Sequence, residues 1–156
     1  LIAIEPFRKN HMDLWANFRQ KLWPEHSLED MTIDVQHIFE GKKLVGDEKT
    51  YEGFHLLKDD EPIGFIEVSL RDSIDWYDAS PIAYIEGWFV EQSERKKSFG
   101  AKLVKHAEEW AQEQGCDYLA SDLEKDNRIS LLAHQRLGFT IVDENVKEYL
   151  LIKEIE

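Results

Sequence analysis

Cysteine is nearly absent. Cys116 stands alone among 156 residues, so no internal disulfide can form and a reducing, cytoplasmic setting is expected. A lone cysteine before an apolar run is expected as a buried strand-entry residue rather than a nucleophile. No apolar run approaches the length of a membrane span. The first residues do not read as a secretory signal, because Glu5, Arg8 and Lys9 interrupt them. Repeats, low-complexity tracts and linkers are missing too. Positive charge is scarce: 19 basic residues face 32 acidic ones, for a net −13. Such a surface repels nucleic acid and membranes and attracts polycations. What remains is a chain with 42% hydrophobic and 12% aromatic residues. That composition argues against disorder and suits one domain, residues 1–156, with a proper core.

The stretch from Ala83 to Gly138 organises the chain. The apolar run Ala83-Tyr84-Ile85-Glu86-Gly87-Trp88-Phe89-Val90 predicts a strand. The basic loop Arg95-Lys96-Lys97-Ser98-Phe99-Gly100 follows, then an amphipathic helix with Leu103, Val104, Ala107, Trp110 and Ala111 on one stripe. Cations and unpaired backbone N–H groups at a helix N-terminus are suited to phosphate oxygens. Tyr118 to Asp122 predicts a second strand, and Asn127 to Leu137 a second helix that Gly138 stops.

Elsewhere, Ile2–Pro6 alternates as a strand. Asn10 is expected to cap a helix with Leu14, Trp15, Phe18 and Leu22 inward, ended by Trp23-Pro24. A helix after Ser27 or Asp30 turns Met31, Val35, Ile38 and Phe39 inward and stops at Gly41. Thr50–Lys58 and Ile63–Leu70 form a hairpin about Asp59-Asp60-Glu61-Pro62. Arg71–Pro81 is a polar loop, and Thr140–Val142 and Glu148–Ile155 are closing strands. The order β-α-α-β-β-β-α-β-α-β-β is mixed α/β.

Glu86 interrupts an apolar strand. A buried carboxylate needs a partner, so it either pairs with a core cation or faces a cleft and receives an amine. Period two sets it beside Tyr84 and Trp88, and Gly87 is a candidate bulge. An apolar strand would raise the Glu86 pKa, whereas Asp122 stands at a strand end near solvent.

The loop Arg95–Gly100, Asn127, and Leu132-Ala133-His134-Gln135-Arg136-Leu137-Gly138-Phe139 together resemble the GNAT acetyltransferases. That family's loop reads Arg/Gln-x-x-Gly-x-Gly/Ala, and Ser98 replaces its first glycine. The resemblance covers the length of a GNAT domain. It implies a GNAT fold: a mixed, mostly antiparallel sheet with splayed central strands and flanking helices. It implies acetyl-CoA as co-substrate and no metal. Arg95, Lys96, Lys97, Ser98, Phe99, Gly100, Ala101 and Lys102 then hold the pyrophosphate. The backbone N–H groups of Trp88, Phe89 and Val90 meet the pantetheine and acetyl oxygen, and Asn127 touches the pantetheine besides capping its helix. His134 stands where many relatives carry a tyrosine near the CoA sulfur, and Tyr149 is a second candidate donor to the thiolate.

Leu22-Trp23-Pro24 with His26, Ser80-Pro81, Glu86-Gly87 and Ala120-Ser121-Asp122 resemble bacterial aminoglycoside 6'-N-acetyltransferases in particular. By that resemblance Trp23, His26, Glu86, Asp122 and Glu144 line the acceptor site, with Trp76 or Tyr77 as the loop aromatic. Carboxylates suit the ammonium groups of a polycationic sugar, and aromatic faces suit its rings. Of the two carboxylates, Glu86 is expected to take the amine's proton and Asp122 to anchor an ammonium group. Direct acetyl transfer to a 6'-amine is the leading expectation, with a homodimer as the assembly. Acetylation of a polyamine or a protein N-terminus, or a non-catalytic acyl-CoA-binding module, are the alternatives.

Overall fold

The computed structural model describes residues 1–44 and 51–156. Seven strands make one sheet: β1 Ile2–Pro6, β2 Tyr51–Lys58, β3 Glu61–Arg71, β4 Ile82–Val90, β5 Tyr118–Glu124, β6 Thr140–Glu144 and β7 Glu148–Glu154. Their order is β1-β2-β3-β4-β5-β7-β6. Among the described residues, four helices accompany these seven strands: α1 Met12–Leu22, α2 Leu28–Phe39, α3 Phe99–Glu113 and α4 Arg128–Arg136. The expected element order is recovered, with short 3-10 turns added at Lys9–His11 and Gln92–Glu94. No helix among the described residues is long and apolar enough to cross a membrane.

The chain divides into two compact units. The first comprises Leu1–Ser69 and Glu86–Ala107. Its core gathers Trp15, Phe18, Met31, Val35, Ile38, Phe65 and Phe89. Each such side chain contributes about 1.5–3 kcal/mol on burial. Asp59 and Asp60 take left-handed conformations (φ 50° and 67°). They join β2 to β3 with Lys58 already paired to Glu61. The turn is therefore the two-residue kind that matches strand twist, tighter than the expected four residues, and Pro62 is buried in β3. Thr50 of the expected strand lies outside the described residues.

Three helix details differ from expectation. Leu14, expected on the inward stripe of α1, is exposed, while Trp15 and Phe18 are buried. Asn10 does not cap α1: it sits inside the 3-10 turn, His11 is the capping residue, and no side chain closes that end. Phe39 does not face inward; it is 41% exposed, while Met31, Val35 and Ile38 are buried. Ser27 caps α2 by accepting from the Asp30 N–H at 3.1 Å.

The first unit also buries a second carboxylate that interrupts an apolar strand. Glu67 is fully buried, and it accepts from Trp15 Nε1 at 2.8 Å and from Arg19. Arg19 also reaches Asp34 Oδ2 at 3.1 Å.

The second unit comprises Leu70–Ile85 and Glu108–Glu156. Its sheet places Ile82, Tyr84, Ala120 and Ile152 in one apolar cluster, covered by Ile74, Trp76, Tyr77 and Ala79 of the 71–81 loop. Cys116 is buried just before β5, and desolvation pushes its thiol pKa up, which fits an inert packing residue.

Candidate active site

The basic turn lies in the first unit. Lys96 and Ser98 both adopt left-handed backbone (φ 66° each), the conformation that anion-binding nests alternate with right-handed residues. The first i→i−4 bond of α3 runs from the Lys102 N–H to the Ser98 carbonyl at 3.1 Å. The N–H groups of Phe99, Gly100 and Ala101 precede that bond and have no intrahelical acceptor. Ser98 thus holds the conformation for which glycine is the usual choice.

The three cations are placed differently. The Arg95 Nε–H donates to the Val90 carbonyl at 2.8 Å, and its guanidinium lies 5.6 Å from the Phe89 ring centre. Lys97 pairs with Glu94 at 3.3 Å, which Lys58 also meets at 3.0 Å. Hydrogen bonding from Lys58 is the main cause of the lowered Glu94 pKa. Lys96 and Lys102 are exposed. Beside the turn, Lys21, Phe89, Glu91, Gln92, Ser93 and Arg95 line an open cleft of about 650 Å³.

Helix α3 is locked to β4 through two residues. Trp88 Nε1–H donates to the Gly100 carbonyl at 3.2 Å. A Cβ on Gly100 would stand 3.1 Å from the Trp88 ring, so the missing side chain is what lets the first turn lie there.

Glu86 is half-buried, and its carboxylate accepts a hydrogen bond from the Ser69 hydroxyl. Its neighbour Gly87 has a packing reason beyond the expected bulge: an added Cβ would come within 2.8 Å of the Trp23 ring. Trp23 is half-buried under the Arg19 guanidinium, 4.8 Å from the ring centre. His26 is exposed, and its N–H bonds the Trp23 carbonyl at 3.1 Å, which shapes the turn after α1.

The second unit brings another set together. Strands β4 and β5 pair in parallel at Ala83↔Leu119 and Tyr84↔Ala120. Tyr84, buried, donates its hydroxyl proton to Asp122 Oδ2. Arg71 lies over the Tyr84 ring at 3.7 Å, and Trp76 meets the same ring edge-on with centres 6.2 Å apart. Tyr77 instead packs edge-on against Tyr118. Asp122 keeps an exposed face but is crowded on its other sides, and this desolvation raises its pKa against the opposing Tyr84 hydrogen bond.

His134 belongs to α4. It is buried, and both ring nitrogens are engaged: Nδ1 lies 2.7 Å from the Ser130 carbonyl and Nε2 lies 2.8 Å from Ser121 Oγ. A carbonyl only accepts, so Nδ1 carries the proton and Nε2 accepts from the serine. Desolvation lowers the His134 pKa. Ser121 alternates with Asp122 on β5, so His134 stands on the opposite face from that carboxylate. It packs α4 to the sheet through these two contacts.

Asn127 caps α4, accepting from the Ser130 N–H at 3.1 Å. Glu144 is exposed and pairs with Lys125 at 2.8 Å. Tyr149 is half-buried on β7, with the Lys125 ammonium 5.4 Å from its ring centre. Tyr84, Arg71 and Ser69 were missed as site residues. The apolar strand patterns hid the two residues with hydroxyls, and Arg71 read as loop.

The strand order, the parallel β4–β5 pair and the basic turn opening α3 are those of a GNAT fold. The chain belongs to the acetyltransferase (GNAT) family, whose model matches residues 11–139. This family uses acetyl-CoA. The aminoglycoside N(6')-acetyltransferase type 1 of Salmonella typhimurium is 32% identical over 137 residues, covering 87% of this chain and 90% of that protein. The protein of the same name from Serratia marcescens is 34% identical over 131 residues, covering 83% and 86%. The solved structure of AAC(6')-Iy with the bisubstrate analogue CoA-S-monomethyl-acetylneamine superposes with a TM-score of 0.82. It is 28% identical and covers 94% of this chain and 95% of that one.

Proposed function

We propose that residues 1–156 form one catalytic domain that transfers the acetyl group of acetyl-CoA to the 6'-amine of aminoglycosides. The observation that carries this reading is the identity of 32–34% to aminoglycoside N(6')-acetyltransferases over more than four fifths of the chain. The chemistry of the residues supports it too, since carboxylates suit ammonium groups and aromatic faces suit sugar rings.

The donor side fits the nest at Lys96–Ser98. Arg95 to Lys102 hold the pyrophosphate through N–H groups at the N-terminus of α3, and Trp88, Phe89, Val90 and Asn127 take the pantetheine. Acetyl-CoA supplies the activated acetyl carbon. On the acceptor side, Trp23, His26, Trp76 and Tyr77 offer faces for sugar rings, and Glu86 and Glu144 bind ammonium groups. Asp122 accepts the proton lost by the attacking nitrogen, because a raised carboxyl pKa suits a general base. As nitrogen bonds to the acetyl carbon, the carbon–sulfur bond breaks and the departing thiolate takes a proton, for which Tyr149 is the donor.

Thiol release tests the reading. Acetyl-CoA is offered with kanamycin-type aminoglycosides, spermidine and peptides with free N-termini. Turnover confined to the aminoglycosides supports the proposal. Turnover with spermidine or peptides instead, or CoA binding with no turnover on any amine, overturns it.

A further inference from the structure

Asp122 does not stand alone on its face of the sheet. Strands β5 and β7 pair antiparallel with Asp122 opposite Leu150 and Glu124 opposite Glu148. Residues two apart on a strand share a face, so Glu148 is the diagonal neighbour of Asp122 on that face, within reach of a long side chain. On the other side, Tyr84 is in register with Ala120, which shares the Asp122 face, and its hydroxyl donates to Asp122 Oδ2. Arg71 lies 3.7 Å from the Tyr84 ring centre. The groups acting on Asp122 are thus Tyr84 from β4, Glu148 from β7 and Arg71 from the end of β3. His134 approaches from α4 beneath the strand.

These groups act in opposite senses. A hydroxyl donating to a carboxylate stabilises the charged form. A second carboxyl nearby destabilises it, and two such carboxyls share one proton more readily than both ionise. Tyr84 accordingly lowers the Asp122 pKa, while Glu148 raises it by like charge and by a carboxyl–carboxyl hydrogen bond. Arg71 lowers it by its positive charge.

We propose that Tyr84 and Glu148 are positioning residues for Asp122: the tyrosine hydroxyl orients and favours the carboxylate, and the glutamate across the strand pair shares a proton with it. The proposal rests on the reading of Asp122 as the group that accepts the amine's proton. In that step one N–H bond of the acceptor ammonium breaks and one O–H bond forms on Asp122. Glu148 keeps Asp122 basic enough to take the proton, and Tyr84 keeps it ionised and aimed beforehand.

The test is a carbon-13 NMR titration of the Asp122 carboxyl in the wild type, Tyr84→Phe and Glu148→Gln, beside the pH dependence of kcat for each protein. Tyr84→Phe is expected to raise the Asp122 midpoint and Glu148→Gln to lower it, each by about half a pH unit or more. The acidic limb of the kcat profile should follow each shift. Unmoved midpoints, or two shifts in the same direction, overturn the coupling. If the midpoints move as expected and the acidic limb stays put, Asp122 is not the base, and that reading of the reaction fails separately. Should Tyr84→Phe fail to fold, Glu148→Gln alone decides, and an unmoved midpoint in that variant overturns the proposal.

Discussion

The ring of Trp23 lies so close to Gly87 that an added Cβ would come within 2.8 Å of it. Strand β4 therefore carries a residue without a side chain where the indole from the end of α1 packs. Gly87→Ala should displace the ring and cost about 1–3 kcal/mol. Chemical denaturation measures the loss. Under the proposed function, the same variant should raise the KM for the aminoglycoside more than the KM for acetyl-CoA.

Ser98 takes a left-handed conformation (φ 66°), which costs an L-residue about 1 kcal/mol relative to glycine. Ser98→Gly removes that strain, partly offset by the greater freedom of glycine in the unfolded chain. Stability should therefore stay level or rise slightly. Acetyl-CoA affinity by calorimetry should be kept or improved. A large loss of affinity would show that the serine side chain, rather than the backbone, holds the phosphate.

Glu67 is buried with Trp15 and Arg19 as partners. Glu67→Gln leaves the Arg19 charge without its buried counter-ion, and such a break typically costs about 3–5 kcal/mol. The Asp34 contact to Arg19 at 3.1 Å should soften it. Urea denaturation is expected to show a lower midpoint with an unchanged slope.

His55 is buried on β2, with its ring centre 5.4 Å from that of His11 and from that of Phe7. Burial lowers its pKa from 6.5 to about 4, and the nearby His11 and Arg8 add to this while Glu5 opposes it. A base with a depressed native pKa binds its proton more readily when unfolded. Stability from this group is therefore full above pH 6.5 and is lost as pH falls from 6.5 through about 4. The loss is at most about 3 kcal/mol. Thermal melts across that range should fall with acid. In His55→Leu, which does not titrate, the slope should be shallower.

Local signals carried much of the fold into the sequence. Asn127 is a cap in both, Ser27 is one of the two expected starts of α2 and caps it, Asp59-Asp60 is a turn in both, and the basic loop opens α3 as its residues suggested. Pairings across long separations were not legible. Glu67 and Glu86 look alike as lone acids in apolar strands, and only the packing of α1 shows that Arg19 serves the former. One partner of His134 was equally hidden, since Ser121 comes from β5, and only the Ser130 carbonyl, at i−4 on α4, is local. Tyr84 was hidden for the same reason, since its tie to Asp122 spans 38 residues.

The most direct measurement compares two aminoglycosides that differ only at the 6' position, one with an amine and one with a hydroxyl. Each is incubated with acetyl-CoA and the full chain, with thiol release followed and the product's acetylation site read by NMR. The proposed function predicts rapid release with the 6'-amine, a single amide at that nitrogen, and release with the 6'-hydroxyl compound lower by about a hundredfold or more, since a neutral hydroxyl cannot replace the ammonium that the carboxylates bind. Equal rates for the two compounds, or acetylation at another amine, would contradict it.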